Sequence, residues 1–416
     1  MKPNGKIRWQ ILTLIFFATT INYIDRQVIG ILKPFIADDL GWDEADYGYI
    51  VTAFQIAYAI GLLTTGHLLD KFGTRIGYTW SIIVWSIAGM AHAAASSVTG
   101  FAFFRFALGI GESANFPAAV KSIAEWFPKK ERAFAAGLFN SGSTVGAILA
   151  PIMVSVITVK FGWQWAFIVT GALGFIWLIF WLTYYQIPTK HPKVSIEEIE
   201  YINQDEEEKN EKPIRWIDLF KHKQTIAICS TRFISDWVWW FFLFWIPDFL
   251  SKTHNINIKE VVLPLIVIYA VSSIGGIGGG WISSNFIKSG KSVDYARKVT
   301  ILMSALIVLP VMFVSQVANL WVAVALIALA AAGHQSWASN IFTIVSDIYP
   351  KNAVGSMMGL SGFMGAIGGA LSASFVGVLL ESTGSYFFIF VLASSVYLLN
   401  WIIIKISIKK IEPLKL

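Results

Sequence analysis

Apolar residues fall along this chain in long blocks, without the period-2 alternation of a half-buried strand. A block of about 20 apolar residues, coiled as a helix rising 1.5 Å per residue, covers the roughly 30 Å hydrocarbon core of a bilayer. Twelve segments meet that length: 9–36, 46–69, 76–96, 98–127, 132–158, 164–186, 224–251, 260–285, 298–315, 319–348, 353–379 and 385–406. The one long polar stretch, His191–Lys223, carries EEIEYINQDEEEKNEK and divides the blocks into six and six. The pattern predicts an all-α membrane protein of twelve transmembrane helices. A six-helix bundle is expected over 1–190, a partly helical cytoplasmic linker over 191–223 and a second bundle over 224–416.

Composition agrees. Charged residues make up 14% of the 416 positions, against roughly 25% in soluble domains, too few to cover a water-facing surface. The net charge of +6 raises the question of nucleic acid, and its distribution answers it. With the N-terminus inside, the segments facing outward hold only Lys160, Lys252 and Lys259 among basic residues, and the remaining inter-span Lys and Arg gather inside. That asymmetry orients a membrane protein, places both termini in the cytoplasm and makes the lipid bilayer the partner instead of nucleic acid. Met1–Arg8 reads as a cytoplasmic tail leading into the first span, not a cleaved signal. The lone cysteine, Cys229, excludes an intramolecular disulfide and a cysteine metal cluster. Six scattered histidines and the lack of H-E-x-x-H or G-x-S-x-G argue against an enzyme. No cofactor or metal is expected, and the chain is expected to act as a monomer.

The two halves repeat. At an offset of 222 residues EWFPK (Glu125–Lys129) lies over DIYPK (Asp347–Lys351), Gly111 over Gly333, Gly137 over Gly359, Leu138 over Leu360 and Gly146 over Gly368. One gapless offset across a helix–loop–helix at both places indicates a duplicated six-span unit, an architecture of secondary transporters.

Charged residues deep in such spans mark function, because each is costly in hydrocarbon. Span 1 carries NYIDR (Asn22–Arg26), and span 4, running the other way, carries Arg105 and Glu112 two turns apart on one face. Asp25 and Glu112 both lie about 24 Å from the cytoplasmic ends of their helices at ~1.5 Å per residue. Two carboxylates and two arginines therefore share one depth, either as ion bridges joining spans 1 and 4 or as a transport site. In the second case Arg26 and Arg105 hold an anion, since guanidinium stays charged and its fork matches a carboxylate. Asp25 and Glu112 would carry the coupling protons, since a low-dielectric cavity favours the neutral acid. Asn22, Tyr23, Gln55, Tyr58 and Ser143 in the first half, with Gln335, Trp337 and Asn340 in span 10, offer hydrogen bonds and aromatic faces to a polyol. The same groups could instead join helices. Between spans 2 and 3, GHLLDKFGTR (Gly66–Arg75) forms a tight turn at Gly73, with Asp70 and Arg75 placed to lock a helix end in one state and release it in another. Arg232 and Asp236, four apart, read as an ion pair along one helix; His334 and Lys121 have no assigned role.

That turn resembles the loop 2–3 signature of the major facilitator superfamily, with a degenerate copy in GWISSNFIKSGKS (Gly280–Ser292), where Ser284 stands in place of the usual acid. The run Arg105–Pro151, with NYIDRQVIGILKP (Asn22–Pro34), GWQWAF (Gly162–Phe167) and SVDYARK, is similar to the anion:cation symporter branch and within it to hexuronate transporters. The resemblance covers the whole chain. It implies the major facilitator fold of two six-helix pseudo-repeats, in a bacterial inner membrane. It implies proton-coupled import of a sugar acid such as glucuronate or galacturonate, with galactonate or glucarate as alternative organic anions. Carried over by position, it marks Asp25 and Glu112 as proton sites and Arg26, Arg105, Tyr23 and Tyr58 as substrate contacts. An organic phosphate antiporter would also use paired arginines, but would leave the two carboxylates without a task.

Overall fold

The computed structural model describes residues 6–204 and 216–414, without the side chains of His67, Asp70, Lys129, Lys130, 132–134, Trp216, Ile217, Lys351 and Asn352. Every element among them is helical, as expected. The chain divides into two compact units: Met1–Leu32 with Ala53–Asn210, and Lys33–Thr52 with Glu211–Leu416.

The first unit is built on α1 (Ile7–Leu40), α2 (Glu44–Phe72), α3 (Thr74–Ala91), α4 (Val98–Glu112), α5 (Asn115–Trp126), α6 (Lys129–Phe161), α7 (Trp163–Tyr184) and α8 (Ile196–Asn203), although the far end of α1 and the start of α2 group with the second unit. A single residue, Gly73, joins α2 to α3 at φ +79°, a conformation that a side chain would strain. Span 4 is interrupted: α4 ends at Glu112 and α5 begins at Asn115. Pro117 accounts for the break, because it has no N–H to offer the Ser113 carbonyl. Helix α8, from the acidic linker, is fixed by Arg8, which donates to Glu198 Oε1 at 3.1 Å and Glu131 Oε2 at 3.1 Å.

The second unit continues with α9 (Trp216–Leu219), α10 (Lys223–Phe244), α11 (Ile246–His254), α12 (Val262–Lys288), α13 (Val293–Val308), α14 (Leu320–Ile348), α15 (Lys351–Thr383) and α16 (Phe387–Ser407). Span 7 bends by 54° between α10 and α11, at Trp245, two residues before Pro247, which has no N–H to offer the Leu243 carbonyl. Span 9 tightens from α13 into a 3-10 turn, Leu309–Gln316, at Pro310. The hairpin Lys33–Thr52 is bonded into this unit: Lys33 Nζ reaches Glu44 at 2.5 Å and Asp248 Oδ2 at 2.6 Å, and Tyr386 donates to the same Asp248 oxygen at 2.6 Å.

Among the described residues nine helices are individually long and apolar enough to cross a bilayer, ten with the bent α10–α11 pair. The other two of the twelve segments are α3, diluted by Arg75, tryptophans and hydroxyls, and the broken α4–α5. Outward faces are apolar, with Trp80, Phe103, Ile277 and Trp281 each more than 60% exposed. Such a surface suits lipid and not water.

The repeat is a packing repeat. On α6, a Cβ at Gly146 would strike the Thr20 carbonyl of α1; on α15, a Cβ at Gly368 would strike the Phe233 carbonyl of α10. Gly111 of α4 lies against Trp85 of α3, and Gly333 of α14 against Ser304 and Val308 of α13. Close backbone approach, the usual means of joining helices in lipid, is thus preserved at matched positions.

Candidate functional site

The buried charges of the first unit form one cluster. Arg26 on α1 donates from Nε to Glu112 Oε2 of α4 at 2.9 Å, with Nη2 also 2.9 Å from that oxygen. A further bond from Nη2 reaches Asn22 Oδ1 at 3.1 Å, one turn back on α1. Both members of the pair are at most 2% exposed. Arg105, wholly buried on α4, donates from Nη2 to the Arg26 carbonyl at 2.8 Å. The 24 Å depth matching of the two helices therefore corresponds to direct contact.

Aromatic faces enclose the guanidinium groups. Arg26 lies 4.8 Å from the Tyr23 ring centre, 4.9 Å from Tyr58 and 5.5 Å from Phe54; Arg105 lies 5.3 Å from Phe54. Cation–π attraction in a dry site contributes on the order of 2 kcal/mol and holds the planes in place. Asp25, 3% exposed, lies beside the Thr170 hydroxyl of α7 and within electrostatic reach of Glu112 and Arg105. Neither of its oxygens has a hydrogen-bond partner among the described residues, and the same is true of Glu112 Oε1 and both amide atoms of Gln55. Orphan buried polar atoms cost about 1–3 kcal/mol each, so they point to a proton, water or solute that completes them. Ser143 of α6 donates to the Asn140 carbonyl at 2.6 Å and stands beside Tyr23.

The span 10 residues separate. Trp337 and Asn340 are buried on one face of α14, with Trp337 Nε1 and Asn340 Oδ1 unpartnered among the described residues. Gln335 turns instead toward α12, its Cβ facing Gly276. Arg232 and Asp236 do pair along α10, at 2.8 and 2.6 Å through Nε and Nη2. At the α2–α3 turn the side chain of Asp70 lies outside the described residues. Arg75 donates to the Leu182 carbonyl at the end of α7, and Lys121 donates to the Leu69 carbonyl at 2.9 Å.

A twelve-segment helical chain with a repeated core and a charged cluster inside one half is a transporter framework, and the sequence model of the Major Facilitator Superfamily matches residues 15–373. The chain belongs to the major facilitator superfamily. Members of this superfamily are transporters, and the chain is accordingly a membrane transporter and not an enzyme. It is 31% identical over 389 residues to a hexuronate transporter of Escherichia coli K12, covering 92% of this chain and 90% of the relative. It is also 33% identical over 308 residues to a galacturonate transporter of Dickeya chrysanthemi, covering 73% of this chain and 89% of the relative. A third similarity, 31% over 405 residues covering 92% and 89%, is to a probable galactarate/D-glucarate transporter of Bacillus subtilis. Among solved structures a bacterial homologue of the lysosomal transporter Spinster, inward-facing, superposes with a TM-score of 0.76 at 17% identity, covering 97% and 96% of the two chains. A D-xylose–proton symporter superposes with a TM-score of 0.73 at 14% identity, covering 97% and 98%. The structural likenesses carry the fold.

Two features of this facilitator escaped the sequence reading. Phe54 serves both arginines; it lies one turn before Tyr58, a spacing that could have paired them. The Lys33–Asp248 bond joins residues far apart in the chain, and only Asp248's place beside Pro247, at a helix break, hinted at it.

Proposed function

We propose that this facilitator imports a sugar acid, a hexuronate such as glucuronate or galacturonate, together with protons and by alternating access. The observation that carries the reading is the buried cluster of Arg26, Arg105, Asp25 and Glu112. Two fixed cations in an apolar setting select an anion, and the aromatic faces of Tyr23 and Tyr58 suit the carbon skeleton of a sugar. Glu112 is bonded to Arg26 through one oxygen only. Protonating it weakens its hold on Arg26 and frees the guanidinium fork for a substrate carboxylate, which ties the anion to the proton. Asn22, Gln55 and Ser143, with Gln335, Trp337 and Asn340 of the second half, are the proposed polar contacts, and Asp70 with Arg75 the cytoplasmic gate. The relatives named above support a sugar acid. Galactonate or glucarate are the nearest alternative anions, and organic phosphate exchange would leave Asp25 and Glu112 idle. The site would work in a bacterial inner membrane with both termini in the cytoplasm.

Uptake of radiolabelled glucuronate, galacturonate and galactonate into proteoliposomes, with and without an inward proton gradient, tests this. Accumulation driven by the gradient and lost in Glu112→Gln, with exchange retained, is the expected result. Accumulation that ignores the gradient in the parent removes the proton coupling; uptake of none of the three acids removes the substrate class.

A further inference from the structure

Of the four charged side chains in the buried cluster, Asp25 is the one with no hydrogen bond to protein among the described residues. Two charged groups face it, Glu112 and Arg105, both from α4. Each is bonded elsewhere, Glu112 to the Arg26 side chain and Arg105 to the Arg26 carbonyl. From α7 a hydroxyl faces it, that of Thr170. Between Gln164 and Thr183, Thr170 is the one polar side chain of α7 other than tryptophan, and it is 1% exposed. A lone buried hydroxyl in an otherwise apolar stretch thus lies beside a lone buried carboxylate.

The turn that carries this hydroxyl is held firmly. A Cβ on Gly171 would meet the Met90 nitrogen at 2.9 Å and the Ser86 carbonyl at 3.0 Å, and one on Gly174 would fall on Ser86 Oγ. Helix α7 therefore presses on α3 immediately beyond Thr170. Three residues before it, the Phe167 ring stacks on His92 of α3 with centres 5.0 Å apart.

Thr170 has one hydroxyl hydrogen and two acceptors for it. Its Oγ1 donates to the Phe167 carbonyl at 3.5 Å, a long bond. That carbonyl lies inside unbroken α7 and also receives the backbone N–H four residues on, so it is not stranded when the hydroxyl turns away. We propose that Thr170 is the positioning residue for proton exchange at Asp25. When Asp25 is ionised, the hydroxyl donates to the carboxylate. An arriving proton forms an O–H bond on one Asp25 oxygen, and that O–H donates to Thr170 Oγ1 while the threonine hydrogen rotates to the Phe167 carbonyl. No bond of Thr170 breaks, and the hydroxyl both donates and accepts as its chemistry allows. The proposal rests on the proton-coupling reading of Asp25 above and gives that acid a partner outside the arginine pair.

Infrared titration of the full-length protein in lipid vesicles tests this without a substrate. The band to follow is the carboxylic acid C=O stretch that Asp25→Asn removes. Thr170→Val keeps the shape and removes the hydroxyl. A hydrogen bond to the charged acid is stronger than one to the neutral acid, so the loss disfavours the ionised form. The midpoint of the band is expected about one pH unit higher, roughly tenfold in proton affinity, with a shift in its frequency. Thr170→Ser keeps the hydroxyl and is expected to return both to the parental values. Thr170→Ala supplies the same readout should the valine variant fail to fold. Parental midpoint and frequency in the variants without a hydroxyl, or a shift that serine does not reverse, overturns the role of Thr170 and leaves Asp25 a proton site. Absence of any titrating band that Asp25→Asn removes overturns the proton reading of Asp25 together with this one.

Discussion

The interior of the first unit is ionic where the interior of the second is aromatic. Arg26 and Glu112 close a bond at 2.9 Å; at the matched places Trp239 and His334 stack at 5.4 Å. The backbone approaches around them are alike, with Gly146 on Thr20, six residues before Arg26, and Gly368 on Phe233, six residues before Trp239. Close backbone contact constrains a position to glycine, and any side chain added there meets a carbonyl. The inward-facing side chains one or two turns away carry no such constraint, so after duplication they could diverge as far as charge and ring chemistry allow.

The largest expected effect breaks the ionic side alone. Arg26→Met strands the Glu112 carboxylate, and a loss of about 3–5 kcal/mol is expected from an unpaired buried charge, measured by thermal unfolding in detergent. Arg26→Met with Glu112→Met should recover most of that stability and none of the uptake. A single variant as stable as the parent would mean that the pair does not hold α1 to α4. Next comes an ionic contact of the second unit, the one at its hairpin. Asp248→Asn weakens the bonds from Lys33 and Tyr386, and about 1.5–3 kcal/mol is expected for hydrogen bonds to a charged group.

The shared backbone packing is probed by Gly146→Val and Gly368→Val. Each is expected to cost about 1–3 kcal/mol through overpacking, and by similar amounts. Gly137→Val, with no atom near the added carbon, should stay within about 0.5 kcal/mol. A large loss in one of the matched pair and none in the other would undo the packing equivalence. A comparably small effect belongs to Arg232→Gln with Asp236→Asn. Removing both partners of an i,i+4 pair leaves no stranded charge, and a change of about 0.5 kcal/mol is expected.

Much of this was legible before any coordinates. Hydropathy marks spans because lipid demands some 20 apolar residues in a row, and antiparallel depth put two carboxylates and two arginines of spans 1 and 4 at one level, though not which of them pair. The interruptions of spans 4, 7 and 9 fall at Pro117, Pro247 and Pro310, where the hydropathy blocks read as continuous spans; Pro34 and Pro151 lie inside unbroken helices, so proline by itself does not tell a break from a tolerated kink. Gln335 and Trp337 looked alike as polar neighbours; only the turn of α14 shows that one faces α12 and the other the row with Asn340. His334 stayed mute because a lone histidine has no local pattern, and its match to Glu112 shows only at the offset of 222 positions.

Helix α1 runs unbroken from Ile7 to Leu40, yet the division between the two units falls at Leu32–Lys33. Pro34 sits at that division. It offers no N–H to the carbonyl of Gly30, so this turn of the helix lacks a bond that its neighbours have. On one side, seven residues before Lys33, Arg26 is clamped to Glu112; on the other, Lys33 is clamped to Glu44 and Asp248. Pro34 therefore marks the turn of α1 with the least backbone restraint, between the side chain that holds the ion pair and the side chain that holds the hairpin.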